Sequence, residues 1–361
     1  MNKTTITITF SESVENHVGM EKIGTSAEEG FNLSELVHAC GALKKMGSSC
    51  EIYDLGVLLT DEEKDNTYTP AYILVARNAT NTLLKDIGKT SEDMLKEELS
   101  YEWDTTIFSR KHTSKGRSGV VNKVARHNVC YAEKSQVPDI VNGKGTVVSF
   151  NDLPILGHIR KMLPKLLGKN AKNLLAEGNK YYDVSKCGIG FHGDTERRKI
   201  IGLRVGSSMN LHYQWYKKFK PVGNRFEVIL NSGDLYVMSD KAGGQDWKKS
   251  STLTLRHAAG CVKYTNPKKL ALVFPDIDIQ AKIPFGSDMV KNVQEFCKNI
   301  NMINLIPLLP DNIVFLYELC KLCKKLKKTC KGDKKIIDKI LKLYEDNNYN
   351  RKTMFGYHSR L

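Results

Sequence analysis

The sequence predicts an α+β protein in which a jelly roll, or double-stranded β-helix, follows a small α/β module and precedes a helical tail. Three observations predict this arrangement. Residues 2–85 mix strand-like and helix-like periodicities, residues 199–274 are a succession of segments rich in β-branched and aromatic residues, and residues after 284 carry apolar side chains at helical spacing. We therefore expect domains over residues 1–98, 99–290 and 291–361.

Composition limits the classes of protein to consider. No stretch approaches the roughly 18 consecutive apolar residues of a membrane span, and residues 1–10 lack the apolar core of a signal peptide. Nine cysteines at irregular spacing favour a reducing compartment, so we expect an intracellular protein, cytoplasmic or nuclear, without a membrane partner. The net charge of +15 favours a polyanionic partner, with DNA or RNA first.

The N-terminal module contains three strand candidates and one helix. Residues 2–10 alternate Thr with Ile or Phe, and residues 50–59 and 71–78 are further apolar strand candidates. Residues 32–45 have helical periodicity, with Asn32 or Ser34 as the candidate cap. No catalytic constellation is visible here, which favours a packing or partner-binding role. The polar residues 85–104 predict a helical connector.

A glycine-punctuated basic loop follows the connector. Residues 109–127 contain no acidic residue, and flexible cationic side chains on such a loop can pair with a phosphate backbone. The alternative is a solvated surface loop. The candidate nucleic-acid-binding residues are Arg110, Lys111, Lys115, Arg117, Lys123 and Arg126.

The strongest chemical signal is His192-Gly193-Asp194. Side chains two residues apart on an extended chain point to one face, so this imidazole and carboxylate could bind one metal ion. A second histidine would complete the two-His, one-carboxylate triad that leaves three positions open on Fe(II). His257, at the end of a predicted strand, is the best candidate, although a buried structural histidine is the alternative. His212 and His127 are less suitable.

The surrounding residues resemble a known enzyme family. Asn179-Lys-Tyr181 followed by Gly188-Ile-Gly-Phe-His192-Gly-Asp194-Thr-Glu196 resembles the N-x-Y and I-G-x-H-x-D-x-E signature of AlkB-type dioxygenases, and the similarity extends over residues 179–274. The resemblance implies Fe(II) bound by His192, Asp194 and His257. It also implies 2-oxoglutarate in contact with Asn179 and Tyr181, O2 as oxidant, and hydroxylation or N-demethylation of nucleic-acid bases.

The chain departs from that family where the co-substrate's distal carboxylate is held. AlkB-type enzymes use an arginine on the last strand, whereas this strand is PKKLALVFP, with Lys269 at that position and Lys268 beside it. A lysine neutralises a carboxylate but lacks the bidentate fork of arginine. The lysine and the HAAG segment after Arg256 resemble prolyl hydroxylases. A protein prolyl- or lysyl-type hydroxylase and a non-catalytic nucleic-acid-binding jelly-roll protein are therefore the alternatives.

Base-directed members of the AlkB-type family must flip the target nucleotide out of its stack. Aromatic side chains could supply a stacking face, although aromatic residues on a strand more often belong to the core. The candidates are Trp103, Tyr213, Trp215 and Tyr216.

The tail predicts two basic amphipathic helices separated by Gly332. Residues 321–342 contain ten lysines against two aspartates, so the helices should dock with a basic outer face. Cys320, Cys323 and Cys330 suggest zinc, but the cysteine pair lies within a helical pattern and has no matching second pair.

Overall fold

The structure, a computed structural model, describes residues 3–109 and 119–266 of the chain. Within these ranges the protein is a mixed α+β structure dominated by antiparallel sheets. The strands are β1 (Thr5–Ser11), β2 (Ser13–Glu15), β3 (Lys22–Gly24), β4 (Ser49–Asp54), β5 (Tyr72–Arg77), β6 (Thr106–Ser109), β7 (Gly119–Asn122), β8 (His127–Ala132), β9 (Val147–Ser149), β10 (Leu175–Tyr181), β11 (Gly188–His192), β12 (Ile200–Gly206), β13 (Met209–Lys217), β14 (Lys220–Leu230), β15 (Leu235–Met238) and β16 (Thr254–Gly260).

Helices are few and short. The α-helices are α1 (Leu33–Lys45), α2 (Ala79–Leu83), α3 (Ser91–Glu98), α4 (Pro154–Leu167), α5 (Asp240–Gly243) and α6 (Val262–Thr265). Single 3-10 turns lie at Leu55–Leu58, Lys85–Ile87, Ile140–Asn142, Phe150–Asp152 and Gly168–Ala171. The predicted connector of residues 85–104 is thus helical only in part. Among the described helices, none has the length and apolar character needed to cross a membrane.

Two sheets organise the fold. The larger has eight strands in the order β4-β5-β15-β12-β1-β10-β8-β9, and the smaller has four in the order β11-β16-β13-β14. All neighbours pair antiparallel except β8 and β9. From β11 onward the chain alternates between sheets, because β12 and β15 join the large sheet whereas β13, β14 and β16 join the small one.

The N-terminal strands belong to the large sheet and not to a separate module. β1 lies at its centre between β10 and β12, and β4 and β5 extend it beyond β15. Strand pairing over nearly 200 residues of sequence thus joins segments on both sides of the expected boundary at residue 98. The described residues belong to one compact unit, and the predicted tail with its cysteines lies outside them.

One face of the large sheet, here called the helix side, is apolar. Ile6, Ile8 and Phe10 of β1 point to it and pack with residues of α1 and α4. Of the two candidate caps of helix α1 the structure shows Asn32, where Asn32 and Glu35 each accept a hydrogen bond from the other's backbone N–H.

The opposite face, here called the inner side, turns toward the small sheet. Ile73 and Tyr236 of the large sheet and Leu211, Trp215 and Leu255 of the small sheet belong to one buried cluster. The two sheets therefore share a core, as in a β-sandwich. Because successive side chains alternate, Thr5, Thr7 and Thr9 of β1 face the inner side.

Candidate metal centre

His192 and His257 are direct partners across two strands of the small sheet. β11 and β16 pair antiparallel, and a register shift between Ile189 and His192 inserts an extra residue. Ile189 packs in the cluster between the sheets. Without a bulge, a residue three positions later would face the opposite side, but the extra residue lets His192 face the same side as Ile189. The two imidazole ring centres are 4.4 Å apart.

Asp194 lies just beyond the end of β11, in a loop held by backbone contacts. Its N–H donates to the carbonyl of Gly243 at the end of α5, over 2.9 Å. A side chain on Gly193 would place its Cβ 1.9 Å from the Gly244 carbonyl oxygen, so the middle residue of this triplet must be glycine. The H-G-D sequence is therefore explained by a close approach of two loops as well as by chemistry.

The three predicted ligands converge. Asp194 Oδ1 lies 3.5 Å from His192 Nε2 and 3.9 Å from His257 Nε2, and one ligand atom from each residue lies within 4.8 Å of the others. Two ligand atoms at about 2.1 Å from one metal can be at most about 4.2 Å apart. Both distances from Asp194 already fall within that limit. The cluster could thus hold a metal ion, as the sequence predicted.

Protonation states at the cluster favour metal binding. Burial lowers the pKa of His192 to about 4, and burial also puts the pKa of His257 well below its usual value, so both rings are neutral and have a lone pair to donate. His192 Nδ1 lies 2.8 Å from the Gly190 carbonyl oxygen, which makes it the proton donor and leaves Nε2 free as a ligand.

An ion-pair network supports the Asp194 carboxylate. Burial raises the pKa of Asp194 to about 7, and the nearby Arg197 guanidinium opposes this shift. Arg197 lies 3.7 Å from Asp194 Oδ2, is 2.7 Å from Glu196, and pairs closely with Glu177 on β10. Arg197 thereby connects the loop that carries Asp194 to the inner side of the large sheet.

Asn179 and Tyr181 also face the inner side, as neighbours of β1. Asn179 pairs with Thr7 and Tyr181 with Thr5. The Asn179 amide oxygen accepts hydrogen bonds from Arg126 Nε and Asn128 Nδ2. Tyr181 packs in the small cluster that also contains Ile189 and Ala259 of the small sheet. Both residues therefore lie between the sheets, where the metal ligands also point.

The basic-loop prediction fails for one of the two members that the structure describes. Lys123 is buried, and its ammonium donates to Asn16 Oδ1 at 2.6 Å and Asn128 Oδ1 at 3.1 Å. The ammonium is therefore held inside the protein and is inaccessible to a phosphate backbone, and the same burial lowers the pKa of Lys123 to about 8. Arg126 is half-buried against Asn179.

Several predicted site residues lie outside the described ranges. They are Arg110, Lys111, Lys115 and Arg117 of the basic loop and the two lysines proposed for the co-substrate carboxylate, Lys268 and Lys269.

The aromatic residues considered for base stacking lie in the interior. Trp103 packs on the helix side against Gly178 and donates its indole N–H to the Glu98 carbonyl. Trp215 donates to the Leu55 carbonyl, and Tyr213 lies beneath His257 with ring centres 6.0 Å apart. These three are core residues, and Tyr216 is also largely buried beneath Arg256.

The two rejected histidines lie away from the cluster. His212, on β13, neighbours Tyr213 and therefore faces away from the sheet interior, 3.4 Å from Glu227. His127, at the start of β8, stacks on Tyr182.

Sequence reasoning missed Arg197 and Glu177. Glu177 lies two residues before Asn179, so strand alternation alone would place both side chains on one face. No comparable local signal identifies Arg197, because its role depends on a contact between the loop after β11 and strand β10.

Fold and site together define a mixed α+β protein with two packed sheets and a His-Asp-His cluster that could bind a metal. No protein-family profile matches the sequence. The chain is 44% identical over 262 residues to "Uncharacterized protein R156" of Acanthamoeba polyphaga mimivirus, an alignment that covers 73% of this chain and 98% of that protein. The chain belongs to the same family as this mimivirus protein.

Proposed function

We propose that the protein is an Fe(II)- and 2-oxoglutarate-dependent dioxygenase with a jelly-roll core. The observation that carries the proposal is the convergence of His192, Asp194 and His257 between two sheets. Two imidazoles and one carboxylate are the donor set of the facial triad, which leaves positions for a co-substrate and O2. The alternation of β11 to β16 between the sheets supports the jelly roll.

The residues present fit Fe(II). His192 and His257 are neutral nitrogen donors, and Asp194 supplies an oxygen whose partner oxygen lies toward Arg197. When bound, Fe(II) and 2-oxoglutarate would activate O2, so that one oxygen atom hydroxylates a substrate C–H bond and the other enters the succinate that forms, together with CO2, from 2-oxoglutarate.

The chain's own residues would position the reactants and limit access of water. Arg197 fixes the orientation of Asp194, and the carbonyl of Gly190 fixes the tautomer of His192. Tyr213 and the apolar cluster around it close the site on the side of the sandwich core. Asn179, held by Arg126 and Asn128, presents a fixed amide from the opposite sheet.

A polynucleotide is the substrate class that we propose. The observation that favours it is the net charge of +15, which attracts a polyanion. Salt-sensitive binding of DNA or RNA oligonucleotides by the full-length protein would support this substrate. Turnover of a proline- or lysine-containing peptide, with no oligonucleotide turnover, would instead favour the protein hydroxylase.

The experiment that tests the enzyme class is succinate formation. Full-length protein loaded anaerobically with Fe(II) should produce succinate from 2-oxoglutarate when O2 is admitted, in the presence of methylated oligonucleotides. His192→Ala should abolish this product, whereas His212→Ala, on the opposite face of the small sheet, should retain it. Absence of succinate from the wild-type protein with nucleic-acid and peptide substrates alike would contradict the proposal.

A further inference from the structure

The inner side of the large sheet carries a buried cation without a carboxylate partner. Arg204, in the middle of β12, is 1% exposed, and within the described residues its Nε and Nη1 atoms have no hydrogen-bond partner. Its strand neighbours Leu203 and Val205 pack on the helix side, so Arg204 points between the sheets. Buried guanidinium groups are normally paired, because each unsatisfied donor costs free energy.

Asp234, the carboxylate whose charge acts on Arg204, does not pair with it. Asp234 accepts hydrogen bonds from Arg77 at 2.6 Å and from the backbone N–H groups of Asn78 and Asn231 at 3.0 and 2.9 Å. Its carboxylate is thus already paired. The other close neighbour of the guanidinium is the Tyr181 ring, 5.9 Å from ring centre to Cζ.

A second unpaired donor lies beside Arg204. Thr7 of β1 is its direct cross-strand partner, and the buried Thr7 hydroxyl has no hydrogen-bond partner among the described residues. On its other side Thr7 pairs with Asn179. Directly paired residues of antiparallel strands point to the same face, so Asn179, Thr7 and Arg204 form a polar row across three strands.

This row lies in the same interior as the metal cluster. Tyr236 of β15 lies across from Gly202, two residues before Arg204, and packs in the same buried cluster as Leu255, two residues before His257. Tyr181, beside Arg204, packs with Ala259, two residues after His257. Among the inner-side residues of β1, β10, β12 and β15, Arg204 is the only cation.

We propose that Arg204 and the Thr7 hydroxyl bind one carboxylate of a small dicarboxylate whose other end reaches the metal centre. This inference rests on the proposed function, in which the ligand is 2-oxoglutarate and Arg204 takes the carboxylate assigned from sequence to Lys268 or Lys269. A guanidinium offers two parallel N–H donors to a carboxylate, and the threonine hydroxyl adds a third. The ligand thereby satisfies the unpaired donors that the fold buries.

Binding of three probes to Mn(II)-loaded, full-length protein tests the assignment by calorimetry. They are 2-oxoglutarate, 2-oxobutyrate, which keeps the 2-oxo acid but lacks the distal carboxylate, and glutarate, which keeps both carboxylates but lacks the oxo group. Arg204→Gln should weaken 2-oxoglutarate binding by about 10- to 100-fold. It should leave 2-oxobutyrate binding unchanged, and Arg204→Lys should have an intermediate effect because it keeps charge without the fork.

Thermal unfolding separates a ligand-binding role from a structural one. Because the Arg204 charge is buried with unpaired donors, Arg204→Gln should melt at or above the wild-type temperature without ligand, and it should lose the increase that 2-oxoglutarate gives the wild-type protein. Thr7→Val, which preserves side-chain shape, should weaken 2-oxoglutarate binding by about 3- to 10-fold. It serves as an independent variant if Arg204→Gln folds poorly.

The outcomes distinguish this assignment from the proposed function. If the wild-type protein prefers 2-oxoglutarate to 2-oxobutyrate but Arg204→Gln and Thr7→Val do not alter that preference, the assignment fails and the dioxygenase stands. The assignment also fails, and the dioxygenase also stands, if the double variant Lys268→Gln and Lys269→Gln removes the preference for 2-oxoglutarate over 2-oxobutyrate. Arg204-dependent binding of glutarate without any gain from the oxo group would support the anion site and contradict the dioxygenase. Binding of none of the probes would overturn the assignment.

Discussion

The two faces of the eight-stranded sheet differ sharply although the same strands form both. On the helix side, Ile8 of β1 and Leu203 of β12 are direct partners within a large apolar cluster. The adjacent pair, formed by Thr7 before Ile8 and Arg204 after Leu203, faces the inner side, and both residues carry unpaired buried donors. Alternation of side chains along a strand thus separates an apolar surface from a polar one.

This difference indicates how stability and chemistry are divided. Burial of apolar area against α1 and α4 stabilises the fold, whereas the inner side keeps polar groups that contribute little to stability or reduce it. Such unsatisfied polar groups in a folded protein are commonly found where a ligand binds. Variants on the two sides should therefore change different measured quantities.

The largest expected effect concerns the metal centre. His192→Ala removes the imidazole that we propose as a metal ligand beside His257 and Asp194, and should weaken metal binding by more than about 100-fold. Calorimetric titration with Fe(II) under anaerobic conditions measures this loss. His212→Ala is the matched control, since His212 lies on the other face of the same sheet. Equal metal affinities for the two variants would contradict the assigned ligands.

A variant on the helix side should change stability without changing metal binding. Ile8→Ala removes a fully buried side chain at the centre of the large sheet and should cost about 2–5 kcal/mol in the free energy of unfolding. Urea denaturation measures the cost, and metal affinity of the folded fraction should match the wild-type value. A loss of metal affinity in folded protein would show that the two faces are coupled.

The site was predictable from sequence where its signal is local. The H-x-D spacing places two candidate ligands together, and His257 was a candidate from its position at the end of a predicted strand, although β16 continues to Gly260. The bulge before His192 was not predictable, because it is a feature of pairing with β16 and leaves no mark in the segment itself. For the fold, the sequence likewise predicts where strands lie but not which strands pair with each other.

Long-range pairing explains what the sequence could not show. The Thr-Ile alternation of residues 5–10 identifies a strand with one polar face, but pairing with β12, about 200 residues later, decides that this face lines the site. In the sequence Arg204 is an ordinary strand residue, and only strand pairing places Thr7 and Asn179 beside it. The sequence predicts a surface cation at Lys123, whereas in the structure its ammonium donates to Asn16 and Asn128.

A carboxylate on the helix side gives that face a pH dependence. Glu98 is fully buried, accepts hydrogen bonds from Tyr101 and Tyr131, and has a pKa raised by burial to about 7. Its usual pKa is near 4.5. The folded protein therefore binds a proton more tightly than the unfolded chain, and stability is lost as pH rises from about 4.5 through 7.

Glu98→Gln should remove the loss of stability that ionisation of Glu98 causes as pH rises. Its stability relative to wild type should rise between pH 5 and pH 8 by up to about 3 kcal/mol, measured by urea denaturation at both values. Glu92→Gln, on the exposed side of the same helix, is the control and should show no such gain. A constant difference between the Glu98→Gln and wild-type curves would mean that Glu98 is already ionised at pH 5.

The smallest effect on stability is expected one residue away from Ile8. Thr7→Val keeps the shape of the side chain and removes a buried hydroxyl that has no hydrogen-bond partner among the described residues, so the free energy of unfolding should change by less than about 1 kcal/mol or increase. Urea denaturation beside Ile8→Ala makes the two neighbours a matched pair. A cost of several kcal/mol would mean that the inner side stabilises the fold as the helix side does. Removal of a hydroxyl has such a cost only if the hydroxyl is hydrogen-bonded in the folded protein.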